Sequence, residues 1–329
     1  MLRYIAQRLL LLIPVLLGIS LVVLVIIDIT PGDPARMMLG ARATQEEVDD
    51  LREQLGLNDS LPVRYFRFLS NVLQGDFGSS LMTKRPIVDE MKTRFPYTLM
   101  LVALSLVLSV ILGIPIGIYA ATHQYSWKDN TAIFIALIAV SMPSFWFALL
   151  LIRFFGVQLR WLPISGVASW KGWILPCTAM ALGLTAMIAR QMRSDLLEVI
   201  RQDYITTARA KGLSERKVIY RHALKNAMIP VIMIIGGVFG SSLGGSMIAE
   251  MIYSIPGMGQ YIMSALSNRD YPVIQSGILI LSTMFAIIIL IVDVVFALVD
   301  PRIRSQYMGR GKKRGGNQLE TTKEEVKTA

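Results

Sequence analysis

The sequence has little thiol or imidazole chemistry and no nucleotide-binding signature. Its one cysteine, Cys177, lies inside an apolar run, which excludes an intrachain disulfide framework. Two histidines, His123 and His222, together with that cysteine cannot build a dedicated soft-metal cage. No G-x-x-x-x-G-K-[ST] occurs, so the chain has no P-loop of its own for ATP. No H-E-x-x-H occurs either, and both histidines fall outside the long apolar runs, which deprives an intramembrane protease of its groups. Charge is scarce: Asp, Glu, Lys and Arg make up 17% of the 329 residues, against 53% hydrophobic residues and a mean hydropathy of +0.53. That balance belongs to a membrane protein. The net charge of +10 gathers at the edges of apolar runs and in the tail. It forms no stripe interleaved with exposed aromatics, so it is no sign of nucleic-acid binding.

The apolar runs predict an all-α integral membrane protein with six spans. Leu9 to Ile27 carries no charge over 19 positions, enough to cross ~30 Å of hydrocarbon. It is too long for a signal peptide and no A-x-A-like site follows, so residues 1–30 read as a retained first helix bent at Pro14. Residues 31–96 read as an extracytoplasmic region with short helices. Thr44 caps one from Gln45 to Leu55, stopped by Gly56. Arg64 to Leu73 is a second, amphipathic one, with Tyr65, Phe66, Phe68 and Leu69 at interfacial spacing. Residues 97–300 hold the remaining spans, near Tyr97–Thr122, Thr131–Phe155, Ile174–Ile188, Ala227–Ala249 and Ser276–Val299. Gly113, Gly117 and Ala121 make a ridge of small residues, and so do Gly236, Gly240 and Gly244, beside Gly237, Ser241 and Gly245. Such rows let helix backbones approach closely. The tail, 301–329, is rich in Gly, Lys, Arg and Glu without periodicity and reads as disordered.

Three ionisable residues, Asp28, Arg153 and Asp293, lie near span ends, where they can cap or snorkel. The strongest concentration of charge lies elsewhere. Between the fourth and fifth spans stand Arg190, Arg193, Arg201, Arg209, Lys211, Arg216, Lys217, Arg221 and Lys225. A basic excess next to membrane spans marks the cytoplasmic side, and with six spans it places both termini there. Residues 195–211 read as a helix stopped at Gly212. Ser214 caps a second one, with Glu215 in its first turn and Arg221 and Lys225 in its last. The product is a rigid knob on one face of the membrane.

The order Thr206-Thr207-Ala208, three residues, Gly212, nine residues, then His222-Ala-Leu224-Lys225 resembles the EAA loop of ABC importer permeases. Thr206 and Thr207 stand where that loop has Glu and Ala, His222 where it has Ile, and Lys225 where it has Pro. These departures, with Arg209, Lys211, Leu213, Ser214 and Glu215 around Gly212, look like the dipeptide, oligopeptide and nickel branch. Further marks are similar to that branch: Gly75-Asp-Phe-Gly78 with Ser80, Arg94-Phe-Pro96 with Thr98-Leu99, and Glu250-Met-Ile-Tyr-Ser-Ile-Pro256-Gly257-Met-Gly259. Asp300-Pro301-Arg302-Ile303-Arg304 closes the last span as in the family.

The resemblance implies a type I ABC importer permease fold in a bacterial or archaeal cell membrane. Residues 206–209, 211–215, 222 and 224 would couple to one of two separate ABC ATPase subunits. It also implies a second permease subunit, usually a different chain, and a solute-binding protein docked on the external loops. The chain would bind no cofactor, the Mg and ATP sitting on the partner ATPases, and it would perform no covalent chemistry. Di- and oligopeptides are the expected cargo, with glutathione or nickel and other metallophores as alternatives within the same transporter type. From helical position, Ser141, Met142, Ser241 and Ser242 are the candidates to face the translocation path. An ion-coupled secondary transporter is a more distant reading. It requires internal repeats and paired charges near the midplane, neither of which the sequence shows.

Overall fold

The computed structural model describes residues 2–30, 33–40, 43–54 and 56–299. The tail and the Asp300-Pro-Arg signature expected at its start lie outside these. Every regular element is helical. In order they are α1 (Leu2–Ile29), α2 (Pro34–Leu39), α3 (Gln45–Gln54), α4 (Leu61–Leu73), α5 (Ile87–Thr122), α6 (Trp127–Ser141), α7 (Ser144–Leu151), α8 (Ile174–Ile200), α9 (Asp203–Ala210), α10 (Glu215–Lys217), α11 (Leu224–Ile252), α12 (Met258–Ser267) and α13 (Tyr271–Val299). Five helical stretches, containing α1, α5, α8, α11 and α13, are long and apolar enough to cross a membrane, and there are six if the bent pair α6 and α7 is counted as one broken span.

Local chemistry sets several helix ends. At α3 the Thr44 hydroxyl accepts from the Glu47 amide, and the Glu47 carboxylate accepts from the Thr44 amide at 2.8 Å, a reciprocal capping box. Gly56 follows with φ +63°, and the expected last residue of that helix, Leu55, lies outside the described residues. Elsewhere the structure corrects the sequence reading. α5 starts at Ile87, ten residues before the expected span, so Arg94-Phe-Pro96 belongs to a helix and not to a loop. Pro96 and Lys92 lie on an exposed face, where water can satisfy the carbonyl that proline leaves without a donor. The third span is not one helix. Met142, restricted by the proline after it, takes an extended conformation (φ −80°, ψ 123°), and α6 and α7 meet at 99°. Past Leu151 the chain continues as a π-helix over Ile152–Gln158.

α5 runs along α8 more extensively than any other pair of helices pack. A Cβ placed on Gly113 would lie 2.9 Å from the Thr185 carbonyl oxygen, and one on Gly117 would lie 2.5 Å from that of Ala189. The two backbones are therefore in contact, with no room for a side chain between them. At one end of this pair Ile118 and Ala121 of α5 join Ile188, Met192 and Leu196 of α8 in a core that includes Ile205, Ala208 and Val218. At the other end Ile87 and Met91 pack with Val23 and Ile27 of α1 and with α12 and α13. The hairpin that precedes α5 is tied down there by Asp270. Its carboxylate accepts from the Ser80 hydroxyl and from the Leu81 amide at 3.1 Å. Among the small residues of α11, Gly240 abuts Ile289 of α13, Gly236 is buried, and Gly237, Gly244 and Gly245 meet nothing within 4 Å.

Gly117→Ala should lower the thermal unfolding temperature of the purified protein, at a cost of about 1–3 kcal/mol from overpacking. Gly183→Ala on α8, where an added Cβ meets nothing within 4 Å, should not, and a paired melting curve checks the difference.

Candidate functional site

The basic segment folds as a knob with one greasy side and one polar side. α8 ends at Ile200, and Gln202, extended at φ −74° and ψ 148°, restarts the chain as α9. Residues 195–211 are thus two helices and not one. Asp203 in the first turn of α9 complements its dipole. The stop at Gly212 has φ +77°, its amide donating to the Arg209 carbonyl oxygen at 2.9 Å. Ser214 turns the chain with its backbone, since its carbonyl oxygen accepts from the Lys217 amide at 2.9 Å while its side chain caps nothing. From Glu215 the chain is helical without a break into the membrane span, passing through a π-helical stretch at Val218–Ala223.

Ile205 and Ala208 of α9 face the bundle and are buried with Val218, Ala223 and Ala227. Thr206, Thr207, Arg209, Lys211, Gly212, Ser214 and Glu215 are exposed, while Leu213, His222 and Leu224 are half-buried. Ala208 therefore belongs to the base of the knob, not to its open face. Two contacts brace the turn. Arg209 donates from Nε to Glu215 Oε1 at 2.7 Å and from Nη2 to Oε2 at 3.3 Å, a bidentate pair across Gly212. By accepting these bonds the carboxylate holds the Arg209 guanidinium above its ordinary pKa. Asn226 Nδ2 donates to the Tyr204 hydroxyl at 2.8 Å and ties α9 to the start of α11.

Two further polar clusters join helices distant in sequence. Asp129, 1% exposed at the start of α6, takes a bidentate pair from Arg193 of α8, at 2.6 and 2.7 Å, and also accepts from the Tyr125 amide. At the opposite end of the bundle Glu250 is fully buried at the end of α11. Its carboxyl oxygens accept from the Thr98 hydroxyl (2.7 Å), the Ser246 hydroxyl (3.1 Å) and the Gln260 amide (2.9 Å). The Thr98 hydroxyl in turn accepts from the Met258 amide at 2.9 Å. Glu250 thereby joins α5, α11 and the amino end of α12, where the helix dipole favours a negative charge. A Cβ on Gly257 would lie 2.3 Å from that carboxyl group, so the glycine makes the approach possible. Tyr253 completes the node, its buried hydroxyl donating to the Ala148 carbonyl oxygen of α7 at 3.1 Å.

The sequence marks Glu250 only as the first residue of a family signature and Arg193 only as one charge among nine. Asp129 falls between the expected second and third spans, where no motif marks it. A partner 152 positions away, as Thr98 is from Glu250, leaves no local trace. The charges near the span ends are paired in part: Asp28 with Arg64 at 2.5 Å and Asp293 with Arg8 at 3.2 Å, while Arg153 is exposed. Of the four path candidates, Ser141 and Ser241 are exposed, Met142 is half-buried at the α6–α7 bend, and Ser242 is buried. No hydrogen bond brings the two pairs together among the described residues. These also hold no group of three or more His, Cys, Asp or Glu placed to bind a metal.

Glu250→Ala leaves buried donors on α5, α11 and α12 without their acceptor and should cost about 3 kcal/mol. Gly257→Ala, which forces the carboxyl group away, should lower the unfolding temperature in the same sense. Thermal melts of both variants against the parent check this.

Comparison with known proteins adds a consistent picture. Residues 113–305 match the family described as binding-protein-dependent transport system inner membrane component, and residues 1–102 match its N-terminal companion. The glutathione transport system permease protein GsiC of Escherichia coli (strain K12) is 42% identical over 304 residues, 92% of this chain and 99% of that protein. Its counterpart in Salmonella paratyphi A is 41% identical over the same length. Among solved structures, an inward-facing MetNI methionine ABC transporter superposes with a TM-score of 0.56 at 18% identity, over 64% of this chain and 96% of that one. That likeness concerns the fold.

Proposed function

Because the chain belongs to the binding-protein-dependent inner-membrane permeases of ABC importers, a multi-pass family of the bacterial inner membrane without ATPase activity of its own, we propose that its knob is the seat of a partner ATPase and that its cargo is glutathione or a closely similar short peptide. The observation that carries the first part is the division of α9, with Ile205 and Ala208 fixed in the bundle and the Thr206, Thr207, Arg209, Lys211 edge open. A surface so braced transmits force instead of absorbing it. The excess of Lys and Arg supports a cytoplasmic position for the knob, and so for both termini.

Two ATPases, holding Mg and ATP that this chain does not bind, would close on two such knobs. The second knob belongs to another permease subunit, for which the open small-residue face at Gly237, Ser241, Gly244 and Gly245 supplies a close-packing surface. A solute-binding protein delivers cargo at the opposite side. ATP binding reverses the populations of inward-open and outward-open states only if it favours one by about 5.5 kcal/mol. The permease contributes two packings of one bundle, and the nucleotide selects between them.

Substitutions on the open edge, Lys211→Glu with Arg216→Glu, should leave the melting temperature unchanged and lower ATPase co-purification and uptake about tenfold. Ala208→Asp, which buries a charge in the base of the knob, should lower stability as well as uptake. Equal behaviour of the two variants, read by melting curves and pull-down together, would count against the assignment.

The cargo reading is supported by the glutathione permeases that share 42% of the aligned sequence over nearly their full length. The wider reading, di- and oligopeptides in general, is the second choice on the resemblance of the coupling loop. ATP-dependent uptake of labelled glutathione into proteoliposomes holding the whole transporter and its binding protein should exceed that of unmodified dipeptides. Uptake of dipeptides alone would select the second reading.

A further inference from the structure

Among the helices of ten residues or more, α4 is the one with a large exposed apolar surface and no buried residue, yet it is pinned deep against the first span. The Tyr65 hydroxyl donates to the Leu17 carbonyl oxygen at 2.8 Å and lies 3.1 Å from Ser20 Oγ. Leu17 sits near the middle of the uncharged run from Leu9 to Ile27, about 15 Å short of its end at ~1.5 Å per residue. The preceding residue, Arg64, pairs with Asp28, just beyond that run. A tyrosine side chain is much shorter than this span, so the backbone of α4 at Tyr65 lies below the level at which the apolar run ends. That end of α1 is the one remote from the knob, since Val23 and Ile27 pack with Ile87 and Met91, whereas the far end of α5 packs at the knob.

At ~100° per residue the circumference of α4 divides into three sectors. Leu61, Tyr65, Phe68, Leu69 and Val72 are half-buried on the side that meets α1. Phe66 and Leu73, 69% and 87% exposed, form an apolar edge beside them. Arg67, Ser70 and Asn71, with Gln74 just past the helix end, form the third, polar and exposed, and the exposed Val63 lies among them. A helix with one side against protein, one apolar edge and one polar edge fits the boundary between acyl chains and headgroups, lying in the plane of the bilayer.

We propose that α4 is an in-plane membrane anchor at the leaflet opposite the knob, with Phe66 and Leu73 immersed in phospholipid acyl chains and Arg67, Asn71 and Gln74 among the headgroups. Phospholipid, not a docked protein, covers the exposed apolar edge. The depth fixed by Tyr65 and Leu17 decides between the two, because a receptor arriving from water would have to displace lipid to reach Phe66. Asp59 and Asp28, which hold Arg67 and Arg64, keep both guanidinium groups at the polar boundary.

The test uses the complete transporter in phosphatidylcholine nanodiscs, with a bimane label on single cysteines introduced as Phe66→Cys, Leu73→Cys, Ser70→Cys and Gln74→Cys. Native Cys177 is buried, and the labelled parent gives its background. Phosphatidylcholine spin-labelled near the top of the acyl chain should quench the labels at 66 and 73 at least twofold more than those at 70 and 74. Aqueous iodide should show the reverse order. Iodide access at 66 and 73, or a signal there that changes only when the solute-binding protein is added, overturns the proposal. So does equal lipid quenching at all four positions.

Discussion

The close approach of α5 and α8 organises everything around it. Two glycines one helical turn apart let these backbones touch, and the rest of the bundle is arranged along the resulting two-helix spine. Side chains alone could not hold it in a membrane, where apolar contact with lipid is as favourable as apolar contact with protein. Steric fit decides there. The knob is built on one end of this spine and the Glu250 node on the other, so the packing of α5 against α8 sets the separation and angle between them.

The polar clusters sit where the spine alone would leave the bundle undefined. Asp129 and Arg193 fix the start of α6 against α8 near the knob, in a bidentate geometry that tolerates little sliding. Glu250 gathers α5, the end of α11 and the start of α12 far from it. A buried carboxyl group costs stability unless its bonds are satisfied, and here three donors converge on it. Such a site specifies one arrangement instead of adding general adhesion.

Much of this was readable from composition and local signals, because the responsible forces are local. Long uncharged runs can only be spans, Thr44 with Glu47 can satisfy a helix start by themselves, and Gly212 suits a left-handed turn without help. Proline was the ambiguous symbol. Pro96 sits within α5 because its freed carbonyl faces outward, while Pro143 breaks a span at 99° because Met142 turns extended. Only the surroundings separate the two cases. The inward aim of Ala208 and the company of Glu250 depend on residues remote in sequence, and no motif carries that information.

From Glu215 to Ile252 the backbone is helical over 38 residues, about 57 Å of rod at ~1.5 Å per residue. One tip carries the brace to Arg209, and the other carries the carboxyl group that grips α5 and α12. Over such a lever arm, a rocking of about ten degrees at the near tip sweeps the far tip by about 10 Å. The wider π-turn at Val218–Ala223, close to the fulcrum, is the one place along it where the helical pitch already departs from regular.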